Sequence, residues 1–475
     1  MIDERAASWR YFLGLEKFKR VLLVGGDLGL LSGIARAAES LESLSPIDID
    51  VIEDSLSNIA ILKDVGNISG KYTLIIIASK DISEHLLKDL SLLFLDELGS
   101  VVFLPGFFDA SICERLDPSF RVERYAALPP KNPRVFFSLQ NDWIRRKGLT
   151  FHMPGSLKGV LFVKLLLLIS STKISWSWLF NALVFVHRSS VQGGSETLLN
   201  WLNSKLEARL SELVVYAGSN SINRKLTFLA VCDQGKDYVV KLGDTTDGIV
   251  AIRKESVALN DLSLSVVSEF IPSVIFEGEF IDGAWVQVQD VSPIRQRKQL
   301  KELTELHFSV LAKLATIETK EIFLKDCILW NECVAKMSAI NNETIYLLFI
   351  KMQQSILAGS TIVTHRVHGD FAPWNIQCDL NDLYIYDWED SRPDGWVVSD
   401  LIHFIYRQAH LVGPWLGAES LFNDINENLS KLTDMTKLRV DIDQVVGLWV
   451  IFEFIRLPSE HLEELAKFLV ARGNL

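Results

Sequence analysis

The first 150 residues alternate short apolar runs with a stretch of helical periodicity. "RVLLVGG", "KYTLIIIAS" and "GSVVFLPG" are apolar runs of strand length, and "IDIDVIED" (47–54) is a fourth that ends in acids. After the first run, "LGLLSGIARAAESL" (28–41) places apolar residues at helical spacing. Apolar strands that alternate with helices predict a mainly parallel sheet covered on both faces. We therefore predict an α/β domain over residues 1–150.

The pattern changes twice further along the chain. Residues 151–208 contain few helix breakers and predict a helical connecting region. From 209 onward, "LVVYAGSNSINRKLTFLAV", "KDYVVKLG", "PSVIFEGEF" and "AWVQVQD" read as strands, with one helix in "GIVAIRKESVALNDL". Beyond this the chain is mostly helical, broken by "THRVHGD" and "DLYIYDW". We predict an α+β domain over 209–475, with a small strand-rich lobe at 209–290 and a helical lobe at 291–475.

Composition narrows the class of protein. A length of 475 residues suits two or three domains. The net charge of −12 argues against a general nucleic-acid or anionic-membrane surface, since both need clustered basic residues. The five cysteines are scattered and lack the C-x-x-C spacing of a zinc site, so we expect reduced thiols. The charged N-terminus "MIDERAASWRYF" has no apolar signal core. These features predict a cytoplasmic protein.

One stretch, "GVLFVKLLLLISSTKISWSWLFNALVFV" (159–186), raises the question of membrane contact. Lys164 and Lys173 interrupt it, and neither apolar part reaches the ~20 residues that a spanning helix needs. We predict buried or interdomain helices and no transmembrane segment. Peripheral membrane contact stays open as an alternative.

The densest cluster of polar side chains lies in "HGDFAPWNIQCDLNDLYIYDWED" (368–390). Transfer of a phosphoryl group from ATP needs a carboxylate that orients the attacking hydroxyl and accepts its proton. It also needs oxygen ligands for Mg²⁺ and a cation near the transferred charge. Asp370 is suited to the first task, and Asn375 and Asp387 carry the oxygens that Mg²⁺ prefers.

The spacing HGD-x-x-x-x-N, followed by a strand and "DW", resembles the aminoglycoside phosphotransferase and choline kinase group of the protein-kinase-like fold. The resemblance implies that Asp370 is the catalytic base and that Asn375 and Asp387 are magnesium ligands. It also implies that His368 braces the loop and that Asp400, in "GWVVSDLIHF", supports it.

The upstream segments resemble the same group. "YVVKLG" places Lys241 where these kinases keep the lysine that contacts the ATP phosphates, and "AIRKESVALNDL" places Glu255 as its ion-pair partner. The resemblance also implies a set of nucleotide-binding positions, in the loop "AGSNSINRK" and in the hinge "VQVQDVS": Gly218, Ser219, Ser221, Gln289 and Val291. The implied cofactors are ATP and Mg²⁺.

The N-terminal "VLLVGGDLGLLSG" resembles the first motif of class I S-adenosylmethionine-dependent methyltransferases, although Asp27 replaces its middle glycine. The resemblance implies a Rossmann-like fold in which Gly25 and Gly29 approach the cofactor. Glu53, or the neighbouring Asp54, would bind the ribose hydroxyls. S-adenosylmethionine is therefore a second cofactor to test.

Taken together, the motifs predict an ATP- and Mg²⁺-dependent phosphotransferase that moves the γ-phosphate to a hydroxyl of a small molecule, with a sugar or glycan precursor among the candidate acceptors. Two alternatives stay open. Under the first alternative, the chain is a nucleotide-binding scaffolding protein without transfer activity. Under the second, it is a bifunctional methyltransferase and kinase.

Overall fold

A computed structural model of the chain divides into two compact units. The first, which we call the sheet unit, comprises residues 1–252 and 275–290, and the second, the helical unit, comprises 253–274 and 291–475. The structure describes residues 4–13, 18–44, 58–62, 67–79, 90, 94–104, 120–129, 133–151, 157–169, 183–188, 197–218, 225–292, 302–357, 359–379, 382–396 and 398–473.

Within these residues the sheet unit is built on one sheet of thirteen strands, in the order β12-β13-β11-β10-β9-β7-β6-β8-β5-β4-β1-β2-β3. The strands are β1 (Phe18–Gly25), β2 (Ala38–Leu44), β3 (Ile59–Ile61), β4 (Tyr72–Ala78), β5 (Leu95–Phe103), β6 (Phe120–Leu128), β7 (Val135–Ser138), β8 (Leu183–Arg188), β9 (Leu210–Tyr216), β10 (Leu226–Cys232), β11 (Tyr238–Gly243), β12 (Val274–Glu279) and β13 (Trp285–Asp290).

One end of this sheet is parallel and buried on both faces. Strands β3, β2, β1, β4 and β5 all run in the same direction. Along β1, Val21 and Leu23 join one hydrophobic cluster, whereas Leu22 and Val24 join another on the opposite face. Successive strand residues point to opposite faces, so burial on both sides requires an unbroken apolar run. This explains why "VLLV" has no polar alternation, and the prediction of parallel strands here is confirmed.

The other end of the sheet is antiparallel, and the two ends are continuous. β8 pairs antiparallel with both β5 and β6, and β6 and β7 are likewise antiparallel. β7 then pairs with β9, with Val135 opposite Tyr216 and Phe136 opposite Val215. The strands of the predicted small lobe therefore extend the sheet that begins in the first 150 residues.

In the described residues, five helices accompany this sheet: α1 (Leu28–Ala35), α2 (Asp142–Phe151), α3 (Leu157–Ile169), α4 (Leu198–Lys205) and α5 (Thr246–Leu262). Helix α5 continues into the helical unit at Arg253. Short 3₁₀ helices cover Glu4–Phe12 and Ile281–Gly283. The segment 151–208, predicted to be helical, contains α3 and α4 but also the strand β8. The domain boundaries stay a prediction.

The helix predicted over 28–41 is too long. α1 ends at Ala35, and the chain re-enters the sheet at Ala38 as β2, nine residues before the second strand that we predicted at 47–54. In β2, Leu41 is fully buried and Glu42 forms an ion pair with Arg20 of β1 at 2.5 Å. Burial beside β1 thus overrides the helical propensity of "ARAAESL". The segment 47–54 lies outside the described residues.

The N-terminal 3₁₀ helix joins distant parts of the sheet unit. Arg10 donates to the carbonyl oxygen of Gly33 in α1 at 3.0 Å and to Asp244, just after β11, at 2.6 Å. Tyr11 donates to the same Asp244 carboxylate at 2.6 Å. Buried charges are tolerated when they are paired and hydrogen-bonded in this way.

The helical unit holds most of its residues in helices, in agreement with the prediction. Its helices are α6 (Glu305–Leu314), α7 (Ile328–Met337), α8 (Glu343–Leu357), α9 (Ser399–Arg407), α10 (Ala418–Thr436), α11 (Ile442–Arg456) and α12 (Glu460–Arg472). Single turns of 3₁₀ helix form at Ser268–Phe270, Leu324–Asp326 and Pro373–Asn375, and Gln408–Val412 is a π-helical turn after α9.

Within the part of the helical unit that the structure describes, two small sheets interrupt the helices. One has the order β14 (Lys320–Phe323), β15 (Thr361–Val367) and β18 (Arg392–Trp396), and the other pairs β16 (Ile376–Cys378) with β17 (Leu383–Ile385). The sequence predicted β15 and β17 but not β14 or β18, since "KEIF" and "RPDGW" are short and only partly buried. Both sheets pack on one apolar core that includes Trp388, Trp396 and Phe371.

Four cysteines lie within the described residues, and all four are buried: Cys232, Cys327, Cys333 and Cys378. Their reduced state stays a prediction. None of the helices in the described residues combines the length and apolar character needed to cross a bilayer.

Candidate functional site

The segment "HGD" forms a tight loop at the end of β15. Gly369 has φ of +86°, and a Cβ there would lie 2.2 Å from the carbonyl oxygen of Asp390. Only glycine adopts this backbone at so close an approach. The loop therefore packs closely against the backbone of the segment that follows Asp387.

The Asp400 carboxylate holds the backbone of this loop through two hydrogen bonds. Its Oδ2 accepts the backbone N–H of His368 at 2.7 Å, and its Oδ1 accepts that of Gly369 at 2.9 Å. Asp400 lies in the first turn of α9, two residues after Val398, whose φ of +61° is an outlier for a β-branched residue. Such outliers persist where the surrounding structure over-determines them, often near functional sites.

His368 connects the loop to the following hairpin and is fully buried. Its Nδ1 accepts the backbone N–H of Asp370 at 3.2 Å, so Nε2 carries the hydrogen and donates to the carbonyl oxygen of Tyr386 at 3.2 Å. Its ring also meets the indole of Trp388 edge-on, with centroids 4.5 Å apart. His368 therefore orients the backbone of Asp370 and of the residue before Asp387, and its ring is not presented to solvent.

Asp370 is held at both carboxylate oxygens and yet remains reachable. Oδ2 accepts from Asn375 Nδ2 at 2.8 Å, Oδ1 lies 2.9 Å from His403 Nε2, and 31% of the side chain is exposed. Burial raises the pKa of Asp370, but the hydrogen bond and charge of His403 and the nearby His368 outweigh it, so the pKa lies below its ordinary value. Asp370 is thus a fixed, ionised carboxylate at neutral pH.

Asn375 and Asp387 are the residues predicted to bind magnesium. The 3₁₀ turn Pro373–Asn375 brings Asn375 back to Asp370, where Nδ2 also donates to the backbone oxygen of Asp370 at 3.0 Å. This leaves Oδ1 as the oxygen that a cation would use. Asp387 has φ of +74°, in the left-handed region, and its charge raises the pKa of Asp370, which indicates that the two carboxylates are close.

These residues fit a magnesium ion that is also held by a nucleotide. Amide and carboxylate oxygens are hard ligands, and Mg²⁺ binds through few protein groups when phosphates supply the others. Across the described part of the chain, no group of three or more His, Cys, Asp or Glu side chains is arranged to hold a metal. An ion at Asn375 and Asp387 would therefore require phosphate oxygens and water.

The structure adds a group of residues that the sequence did not indicate. Behind Asp370, Arg407 Nε lies 3.2 Å from the same His403 nitrogen, and its Nη2 pairs with Glu453 of α11 at 2.5 Å. His403 Nδ1 lies 4.0 Å from Glu453 Oε2, a buried oxygen without a hydrogen-bond partner in the described structure. We call His403, Arg407 and Glu453 the support cluster. The one available signal was His403 itself, three residues after Asp400 and thus on the same face of α9.

Glu255 and Lys241 lie in different units, and each is described within its own. Glu255 is fully buried, and its Oε1 accepts the backbone N–H of Trp388 at 3.3 Å, next to Asp387. Lys241 is buried in β11, opposite Thr227 of β10 and Gln287 of β13. Their predicted ion pair stays a prediction.

The predicted nucleotide-binding positions are partly described. Gly218 follows β9 with φ of +67°, as a tight turn requires, while Ser219 and Ser221 lie outside the described residues. Gln289 is buried in β13 and donates through Nε2 to Gln287 Oε1 at 2.7 Å. Val291 follows the end of this strand.

The N-terminal glycine turn is stabilised by its own aspartate. Gly25 has φ of +79°, and a Cβ there would lie 2.7 Å from the carbonyl oxygen of Ala78. Asp27 caps α1 by accepting the N–H of Leu30 at 2.9 Å, and Gly29 lies in the first turn of that helix. Glu53, the predicted ribose ligand, lies outside the described residues.

Neither family models nor curated proteins match this chain. Among solved structures, it is similar to a thermostable mutant of aminoglycoside phosphotransferase APH(4)-Ia (12% identity, 58% of this chain and 99% of that chain, TM-score 0.40). It is also similar to a protein named as a fructosamine-3-kinase from Thermobifida fusca (14%, 59% and 100%, 0.40) and to amicoumacin kinase hAmiN in complex with AMP-PNP, Ca²⁺ and Ami (14%, 54% and 81%, 0.37). These structural neighbours are phosphotransferases and kinases by name.

Proposed function

We propose that this protein is an ATP- and Mg²⁺-dependent phosphotransferase with a small-molecule hydroxyl as acceptor. The observation that carries the proposal is the state of Asp370. Its two oxygens are fixed by Asn375 and His403, its pKa is lowered, and part of the carboxylate remains exposed. This exposure leaves the carboxylate within reach of a substrate hydroxyl.

Each residue around Asp370 then has a chemical task. Asp370 accepts a hydrogen bond from the acceptor hydroxyl, orients its oxygen for attack and takes its proton as the new O–P bond forms. At the same time the bond between the γ-phosphorus of ATP and the β,γ-bridging oxygen breaks, and ADP leaves. Asn375 and Asp387 would hold the magnesium ion, which when bound neutralises charge on the transferred phosphate. His368 and Asp400 fix the backbone of the loop, so that Asp370 is oriented before the acceptor arrives.

For the nucleotide we propose Lys241 as the residue that contacts the phosphates and Glu255 as the acid that positions it. Gly218, Ser219 and Ser221 would cover the phosphates, and Gln289 and Val291 would flank the adenine through their backbone groups. Lys241 is buried in a strand rather than exposed at its surface, which supports a role inside the protein.

We propose an uncharged acceptor, such as a sugar or glycan precursor, over a cationic one. Glu389 and Asp390 follow Asp387 and are the acids that a cationic acceptor would use, but Asp390 forms an ion pair with Arg456 at 2.7 Å. Arg456 also lies 3.9 Å from Glu453. An amine would therefore have to displace an existing ion pair.

The test is a screen of hydroxyl acceptors with Mg-ATP, read by mass spectrometry as a gain of one phosphate. Asp370→Asn is the matched variant, since it keeps the shape of the side chain but removes the charge and replaces one of its two acceptor oxygens by an NH₂ group. Asp434→Asn, an exposed position on α10, is the control. Loss of product with Asp370→Asn alone supports the proposal, and equal turnover by both variants rejects the role of Asp370.

If no acceptor is phosphorylated but Mg-ATP raises the Tm of the wild-type protein, the scaffolding alternative is favoured. The methyltransferase alternative is supported by the strand order β3-β2-β1-β4-β5 and by the glycine turn at Gly25, both of which are typical of Rossmann-like folds. Calorimetry with S-adenosylmethionine tests it, and an absence of binding heat removes it.

A further inference from the structure

Helix α3 exposes an apolar face of a kind that proteins in water normally bury. Leu161, Phe162 and Leu165 are 58%, 48% and 52% exposed, and Leu168 continues the same face at 71%. The opposite side of the helix is anchored, because Val163 and Leu166 are buried. Single exposed apolar residues are ordinary, but a contiguous group on one helix marks an interaction surface.

The charge around α3 indicates what this surface contacts. From Trp143 to Ser195 the sequence contains seven Lys or Arg residues and no Asp or Glu, although the whole chain holds 60 acidic residues and carries a net charge of −12. Lys164 lies exposed within the apolar face itself. The adjacent helix α2 packs against α3 and exposes Trp143 and Arg146. We call 143–195 the acid-free region of the sequence. In space, Asp142 at the start of α2 pairs with Arg145, and Asp237 pairs with Lys147, so the exposed Arg146 and Lys164 are the cations that complement a surface of negative charge.

The length of α3 limits how it could meet that surface. Its 13 residues span about 20 Å, well short of the roughly 30 Å hydrocarbon core of a bilayer. A helix that joins Leu and Phe side chains with basic residues typically lies in the plane of the membrane interface, with its apolar face among the acyl chains. Exposed Trp and Lys residues favour the headgroup region.

We propose that α3, with the exposed residues of α2, is a docking surface for anionic phospholipid membranes, and that the protein binds such membranes peripherally. The apolar residues insert beneath the headgroups while Lys164 and Arg146 contact lipid phosphates. Binding therefore depends on both apolar area and anionic lipid, and it weakens as salt screens the charges. The proposal is independent of the phosphotransferase function.

The experiment is co-sedimentation of the full chain with two sets of vesicles, one of phosphatidylcholine alone and one that also contains 30 mol% phosphatidylserine. We expect the wild-type protein to pellet with the second set at low salt and to be released as salt rises. Leu161→Glu combined with Leu165→Glu should lower the partition coefficient at least tenfold. Lys164→Gln should weaken binding to the anionic vesicles only, by about twofold to fivefold, in line with the loss of one cation near the surface.

The matched control is Leu264→Glu, because Leu264 is 98% exposed but lies outside the acid-free region. It should bind vesicles like the wild type. The milder pair Leu161→Gln and Leu165→Gln, checked for an unchanged Tm, excludes misfolding as the cause of lost binding. If the wild type stays in the supernatant with anionic vesicles at low salt, or if Leu264→Glu loses as much binding as the double variant, the proposal is wrong. It is equally wrong if sedimentation velocity finds a dimer that the double variant dissolves while vesicle binding is absent, because the face then joins two copies of the chain.

Discussion

Two glycine-led turns in this protein end in an aspartate, and the surroundings of the two aspartates differ. After β1, Gly25 turns the chain and Asp27 accepts a hydrogen bond from the first turn of its own helix. After β15, Gly369 turns the chain and Asp370 is held by side chains from two other segments, Asn375 and His403. The first carboxylate satisfies its own helix locally, whereas the second is positioned by the tertiary structure and remains open to a ligand.

The difference teaches that a glycine followed by an acid does not by itself indicate chemistry. What separates the turns is the number of groups committed to holding them. The turn at Gly369 has Asp400 under its backbone and His368 beside it, in addition to the two residues that fix the Asp370 carboxylate. A preorganised site requires that several groups hold its reactive side chain in one geometry, as they do here.

The largest difference in activity should come from removing the charge of each aspartate in turn. We expect Asp370→Asn to lower phosphoryl transfer by about 10²- to 10⁴-fold, the range for loss of a general base. Asp27→Asn should leave transfer unchanged, because asparagine also caps helices well. Initial rates with the acceptor found by the screen measure both. Similar losses in the two variants would show that the turns are not distinct in function.

The two glycines offer a second pair of variants. Gly369→Ala forces a positive φ on alanine and places its Cβ against Asp390, so it should lower both Tm and activity. Gly25→Ala meets Ala78 in the same way but should lower Tm alone. Tm by calorimetry and turnover by coupled assay separate the outcomes. Lost turnover in a well-folded Gly25→Ala protein would mean that the N-terminal turn takes part in the reaction.

His403→Gln tests whether the support cluster lowers the pKa of Asp370. Glutamine still donates a hydrogen bond but cannot become cationic, so the pKa of Asp370 should rise from its lowered value toward the ordinary one. The acid limb of the rate profile then moves to higher pH, and kcat falls less than in Asp370→Asn. An unchanged acid limb would leave His403 a purely structural residue.

The surroundings of Glu212 in β9 of the sheet unit disfavour its ionised form, and this predicts a pH dependence of stability. Burial, with a further contribution from Glu123, raises the pKa of Glu212 to about 7. The folded state therefore holds a proton between about pH 4.5 and 7 that the unfolded state has lost, so stability falls as pH rises through this window. Glu212→Gln should raise Tm more at pH 8 than at pH 5. The exposed Glu207→Gln is the control, and an equal gain at both pH values would contradict the shift.

The smallest effect is expected at the helix cap. Asp27→Ala removes the acceptor for the Leu30 N–H and should lower the free energy of unfolding by about 1 kcal/mol. Urea titration followed by circular dichroism measures it, with Asp27→Asn as the variant that retains the cap. No difference between the two would show that the cap contributes nothing to α1.

The sequence was informative where local pattern and structure agree. The five strands β9–β13 and helix α5 follow directly from alternation and helical spacing in 209–290, and the parallel strands β1, β4 and β5 follow from apolar runs. The "HGD…N" spacing brought Asp370 and Asn375 together because one short 3₁₀ turn spans the interval.

Other features depend on contacts between residues far apart in the chain. β2 was predicted as helix because its sequence favours one, and only the pairing with β1 makes it a strand. Glu453 lies 46 residues after Arg407 and 83 after Asp370, so no local pattern connects it to the site. The continuity of the described sheet could not be predicted from sequence either, because β7 and β9 are short and are separated along the chain by α2, α3, β8 and α4.

That continuity has a consequence for how the protein is made. β7 is complete at Ser138, but the strand that covers its edge begins only at Leu210. At a synthesis rate of about 5–20 residues per second, the edge emerges from the ribosome roughly 4–15 s before its partner exists. During this interval β7 is an open template for pairing with a strand from another chain. The order of synthesis thus leaves the β7 edge of newly made protein open to aggregation, and a slowly translated segment between β7 and β9 would lengthen the exposure.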